Sequence, residues 1–279
     1  MFIILLYLLG GNDLPKAFSL EIDKRLVLGI TEKCNHGSGD SSGLERGLIL
    51  FVKNKPMIGE GVGFGVPAIE YSDKILFSSS ATTTIRNDTL IRSYSIDAVQ
   101  RKTWGRFAID GKFYRMIQNR LAEIYRTDRR FRHALTQIMY VQFLLGVRST
   151  YKQVKSRGYV DVSYNLVGRK VRIIVDRSRL THMDFRRLLV FNEQSADFNI
   201  YQDDFGILTN EDIGVWEEVK SRSASLRSRE LNVGFGVENL PGARLYRGRE
   251  LLRPRLDWAG FCYSIPPETE RFTYTVQII

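Results

Sequence analysis

The sequence predicts a mostly β chain: a large antiparallel β-sandwich with a two- or three-helix insertion at about residues 110–157. Three observations predict it. Short runs of β-branched and aromatic residues alternate with period two on both flanks of the chain. Asn, Asp, Ser and Gly punctuate those runs at hairpin spacing. A central segment switches to the 3.6-residue period of an amphipathic helix.

The elements follow in order. Residues 1–9 are almost wholly apolar but fall well short of the roughly 20 residues of a membrane span, and the flanks of a signal peptide are missing. A buried first strand or docked segment is expected there, with a membrane or partner contact as the alternative. The protein is therefore expected to be soluble and cytoplasmic. Leu48–Val52 is a strand, and Lys53–Pro56 a turn. Val66–Tyr71 and Lys74–Ser79 are strands, and Thr82–Arg86 pairs with Thr89–Ile96 across Asn87–Asp88. Phe113, Met116, Ile117, Leu121, Ile124 and Tyr125 share one helical face. Thr127–Asp128 can cap a second helix from Arg129 to about Val147, because an Asp oxygen accepts from the free N–H groups of a helix start. Ser149–Arg157 continues that helix or adds a third, stopped by Gly158. Tyr159–Leu166 and Arg169–Asp176 then alternate cleanly around Val167–Gly168. Leu188–Phe191 is a short apolar strand and Phe272–Ile278 a closing one.

A chain of 279 residues with 43% hydrophobic and 26% charged residues buries enough apolar surface to fold without disulfides or metal. One β-rich domain over 1–279 is expected. The net charge of +10 attracts polyanions such as nucleic acid, though a solvated surface explains it as well. Cys34 and Cys262 form no C-x-x-C pair, which excludes a zinc ribbon or thioredoxin-like motif; two free thiols are expected, with a disulfide as the alternative if the terminal regions meet. There is no P-loop, no G-x-G-x-x-G between strand and helix, and no G-x-S-x-G. His36, His133 and His182 are scattered, without H-x-H or H-E-x-x-H, so no metal or cofactor is expected. Gly39–Gly43 (Gly-Asp-Ser-Ser-Gly) lacks the setting of a protease nucleophile and reads as a surface loop.

The polar residues that remain are the candidates. Asn192, Glu193, Gln194, Asp197, Asp203 and Asp204 follow an apolar strand, where carboxylates can face a cleft. Paired carboxylates can act as acid and base or nucleophile on a glycosidic bond, or hold Ca²⁺. A solvated loop paired with nearby arginines is the bland alternative. Glu60 and Glu238 flank two glycine-rich pentapeptides, Val62–Val66 and Val233–Val237, both Val-Gly-Phe-Gly-Val, whose bare backbones could lie side by side and line a groove; Glu70 lies nearby. Glu193, Asp197, Glu60 and Glu238 are the candidate catalytic residues. Trp216, Trp258, Asp203 and Asp204 are the candidate ligand contacts, tryptophan for its flat face. Lys220–Arg229 interleaves Ser with Arg, as on an exposed edge strand or a polyanion contact.

The layout resembles the two-sheet sandwich of sugar mutarotases and polysaccharide lyases, which implies a carbohydrate-active or carbohydrate-binding protein with acids in a cleft. Two other readings stand beside it: a polyanion-binding protein using its arginines, and a non-catalytic protein that docks a partner or a second copy through the helical insertion. No motif decides for or against catalysis.

Overall fold

The computed structural model describes residues 19–31, 33, 43–87, 89–104, 107–108, 145, 147–252 and 256–279. They form two nine-stranded sheets and one four-stranded sheet, antiparallel in every pairing. The first large sheet runs Phe107–Ala108, Ala98–Trp104, Ile75–Phe77, Gly63–Glu70, Arg187–Gln194, Leu256–Ile265, Arg244–Leu252, Glu217–Glu218, with Val147–Gln153 also paired to Ala98–Trp104. The second runs Gly206–Thr209, Ile200–Asp203, Ser223–Ser228, Val233–Glu238, Arg271–Ile278, Lys170–Asp176, Tyr159–Val167, Thr89–Ser95, Ser80–Arg86. The small sheet holds Ser19–Asp23, Leu26–Gly29, Ile49–Val52 and Lys55–Pro56. One apolar cluster draws on all three sheets.

Alternation explains the layers. In Tyr159–Val167, Val160, Val162, Tyr164 and Leu166 are buried while the residues between them are not. Val171, Ile173 and Val175 do the same in the next strand, and Phe272, Tyr274, Val276 and Ile278 in the last. The turns carry the residues that tolerate positive φ: Lys53 and Asn54 (51° and 66°), Asn87 (46°) and Gly168 (59°).

The two large sheets are also tied by polar contacts through the core. The Asn192 side-chain oxygen accepts from the Tyr274 hydroxyl (2.7 Å) and from the Gly65 N–H (3.1 Å). The Tyr164 hydroxyl donates to the Phe64 carbonyl (3.0 Å) and lies 3.2 Å from the Tyr94 hydroxyl. These bonds converge where the pairing of Gly63–Glu70 with Arg187–Gln194 slips register between Phe191 and Asn192. Gly63 and Gly65 have φ of +91° and +78° at that slip, a bulge that a side chain would strain. A Cβ on Gly65 would also sit 2.8 Å from the Tyr164 ring.

Three expectations need correction. The helical segment 110–144 lies outside the described residues, as do residues 1–18, Cys34, His36 and His133. Where the expected insertion reaches described residues it is wrong: Val147–Gln153 is a strand paired residue by residue with Ala98–Trp104, and Ser156 and Gly158 close a turn behind it. Tyr151 is buried against Phe77 there, so period-two packing overrode the apparent helical continuation. Among the described residues the single helix is a 3-10 turn, Asn210–Ile213. The Ser/Arg segment is no edge strand, because Ser223–Ser228 lies between two other strands. The two Val-Gly-Phe-Gly-Val segments do not lie side by side; they belong to opposite sheets, and Phe64 meets Phe235 edge to face across the core at 5.0 Å.

Gly65→Ala is expected to destabilise the protein by about 2–4 kcal/mol, from positive φ plus the clash with Tyr164. Gly168→Ala, also at positive φ but in open space, should cost only about 1 kcal/mol. Urea unfolding of the pair separates packing from backbone strain. A second outcome concerns pH. Burial holds the Tyr164 and Tyr274 hydroxyls well above the ordinary tyrosine range. The unfolded chain releases those protons near pH 10 or so and the folded chain keeps them, so stability is full below that pH and falls as pH rises through it. Thermal melts at increasing alkaline pH should show this fall, with a shallower slope in Tyr164→Phe.

Candidate functional site

The run Asn192–Glu193–Gln194 owes its polarity to backbone that needs partners. The Gln194 side chain accepts from Leu50 N–H (3.0 Å) and donates to the Leu48 carbonyl (3.2 Å), completing hydrogen bonds that a strand neighbour would otherwise make and fastening the small sheet to the sandwich. Glu193 is buried, and its carboxylate accepts from Val62 N–H (3.1 Å). Asp197 is exposed and accepts from the Ser195 hydroxyl (3.2 Å). Glu60 is half-buried, and its N–H donates to the Asp257 carbonyl (2.8 Å).

Trp216 and Trp258 come together on the outer face of the first sheet. Their rings stack at 4.6 Å and 16°. Gly248 makes room for the Trp258 ring and the Trp216 backbone, since a Cβ there would lie 2.7 Å from the ring and 2.9 Å from the Trp216 backbone nitrogen. Trp258 is buried with its N–H on the Glu250 carboxylate (3.0 Å). Trp216 is half-buried at φ 54°, a strained conformation for a bulky residue. The aromatic contacts continue from Trp216 to Phe191, Phe77 and Tyr151. Cys262 is a free, buried thiol, and burial pushes its pKa up.

The remaining three candidates, Asp203, Asp204 and Glu238, line one open groove of ≈ 450 Å³ on the outer face of the second sheet. The glycine pentapeptide creates it. Val233, Phe235 and Val237 point into the core, so Gly234, Gly236 and Glu238 face out. Gly236 sits in a cross-strand rung that reads Gln202, Ser225, Gly236, Gln277, Lys170. The middle member has no side chain, and its neighbours rise on either side of the hollow. Ser223, Arg227 and Thr275 add to the lining. Asp203 also holds its own turn: its carboxylate accepts from the N–H of Phe205 (2.8 Å) and Gly206 (3.2 Å) and from the Tyr201 hydroxyl (2.6 Å). Asp204 accepts from Arg222 N–H (3.2 Å). Glu238 stands exposed at one end of the groove.

The candidates therefore divide: Glu193, Trp216 and Trp258 lie with the first sheet, while Glu238, Asp203 and Asp204 line the groove. Sequence reasoning missed Gln202, Ser225, Gln277 and Lys170. The alternation of Ser223–Ser228 was a usable signal, because every second residue of a strand shares a face. Arginines pair with acids on both large sheets, Arg179 with Asp161 (3.0 Å) and Arg247 with Glu217 (2.9 Å) among them. No group of three or more His, Cys, Asp or Glu suited to a metal ion occurs among the described residues. No helix among them is long and apolar enough to cross a membrane.

No family model matches the sequence, and no curated protein aligns significantly with it. Among solved structures, a putative aldose 1-epimerase of Escherichia coli K12 aligns over 94% of this chain and 98% of its own, with 7% identity and a TM-score of 0.40. A galactose mutarotase-like protein of Lactobacillus casei aligns over 94% and 99%, with 8% identity and a TM-score of 0.39. Likenesses at that level carry no argument about the chemistry of this chain.

Trp216→Ala is expected to remove the paired-ring signature from the circular dichroism spectrum and to cost on the order of 1–3 kcal/mol in urea unfolding.

Proposed function

We propose that this protein binds carbohydrate in the groove on its second large sheet. The observation that carries the reading is the glycine-floored hollow of ≈ 450 Å³ lined by amides, hydroxyls, carboxylates and two cations. Its size suits a small ligand. A sugar presents hydroxyls that both donate and accept. Gln202 and Gln277 do the same, Glu238 and Asp204 accept, and Arg227 and Lys170 donate. With both signs of charge present, the lining favours a neutral polyol over a polyanion. The bare backbone at Gly236 lets a ring approach the sheet closely.

The test is calorimetric titration with methyl glucoside and methyl galactoside. Binding by the native protein is expected, weakened about tenfold in Glu238→Gln through loss of a charged acceptor. It should be abolished in Gly236→Leu, whose side chain fills the hollow. Circular dichroism checks that both variants remain folded. No binding of either glycoside, or unchanged affinity in folded Gly236→Leu, overturns the reading.

A further inference from the structure

We infer that the natural ligand is an amphiphilic glycoconjugate, its carbohydrate in the groove and its apolar aglycone lying over the hairpin tip at Phe205 and Ile207. This deepens the carbohydrate reading and rests on it.

The rung that forms the groove floor does not stop at Gln202. The next strand places Ile207 directly opposite Gln202, so the two side chains share the groove's face. Ile207 is 63% exposed. Phe205 follows Asp203 and Asp204, both groove residues, and is 78% exposed. Single exposed apolar residues are ordinary. Two on one tip, each beside a residue that lines the polar hollow, make a pattern. The tip is also held in place: the Asp203 carboxylate binds the N–H groups of Phe205 and Gly206, which fixes the Phe205 backbone at the groove's edge.

The strand spacing sets what the aglycone must be. Gly236 and Ile207 lie three strands apart, through Ser225 and Gln202. At roughly 4.8 Å per strand this is about 14 Å. A methyl group on a sugar over Gly236 stops short of Ile207, whereas a chain of several carbons reaches it. The apolar end then leaves water against Phe205 and Ile207 while the hydroxyls stay with the amides and carboxylates.

The experiment titrates the protein with methyl and hexyl glycosides of glucose and galactose, below the concentration at which the hexyl compounds form micelles. The hexyl glycoside is expected to bind on the order of tenfold tighter than its methyl counterpart, as burial of a few methylenes supplies. The double substitution Phe205→Ser with Ile207→Ser should erase that advantage and leave methyl glycoside affinity unchanged. Equal affinity of methyl and hexyl compounds for the native protein overturns the inference and leaves the carbohydrate reading standing. Failure of the methyl glycosides to bind overturns the carbohydrate reading itself, and this inference with it. Sedimentation supplies the remaining arm: a concentration-dependent dimer that the double variant abolishes shows a second copy covering the tip, and overturns the aglycone assignment.

Discussion

The register slip at Asn192 is the constraint on which the sandwich depends. One side-chain oxygen accepts from the Gly65 N–H on the neighbouring strand and from the Tyr274 hydroxyl on the opposite sheet. A bulge leaves backbone groups without ladder partners, and burial makes unpaired groups costly. Asn192 supplies one missing partner, and the Tyr164 hydroxyl adds a second bond to the Phe64 carbonyl, which also accepts from Leu48 N–H. Both tyrosines come from the second sheet, so the bonds that repair the bulge also set how the two layers lie against each other. Gln194, two residues further on, extends the same device to the small sheet.

The repeated pentapeptide shows how one local pattern serves two ends. In each copy the phenylalanine points inward, but the glycines of the first are covered by Tyr164 and the Gly47–Leu48 backbone, and only those of the second lie on an outer face. In the first copy the glycines take positive φ and form the bulge. In the second, Gly234 and Gly236 have no positive φ, and the strand stays regular. There the missing side chains leave a hollow on the surface. The same five letters therefore yield strain repaired by polar contacts in one sheet and an open floor in the other, and the neighbouring strands decide which.

Much of the β architecture was legible from alternation: Tyr159–Val167, Lys170–Asp176, the hairpin of Ser80–Arg86 with Thr89–Ser95, and Arg271–Ile278 all read directly. Leu256–Ile265 did not, because it is buried at nearly every position and the contrast between faces disappears; Arg244–Leu252 did not, because its charged residues Arg244, Arg247, Arg249 and Glu250 break the apolar alternation. Val147–Gln153 was misread because its residues follow a strongly helical pattern whose end the sequence does not mark. The site was legible in part. Glu238, Asp203 and Asp204 were found by charge, but which acids share a face depends on strand order, which no local signal encodes. Polar residues after an apolar strand suggested a cleft at Glu193; that its carboxylate would also accept from the Val62 N–H depends on the pairing of distant strands, which no local signal encodes.

The rung across Gly236 separates two kinds of constraint. Odd and even positions of Val233–Glu238 are constrained differently: Val233, Phe235 and Val237 by packing, and Gly234, Gly236 and Glu238 by the shape of the outer face. The same division holds in Ser223–Ser228, where Ala224 and Leu226 are buried and Ser223, Ser225 and Arg227 line the hollow. A single substitution on the outer face would therefore reshape the hollow while leaving the interior packing as it is.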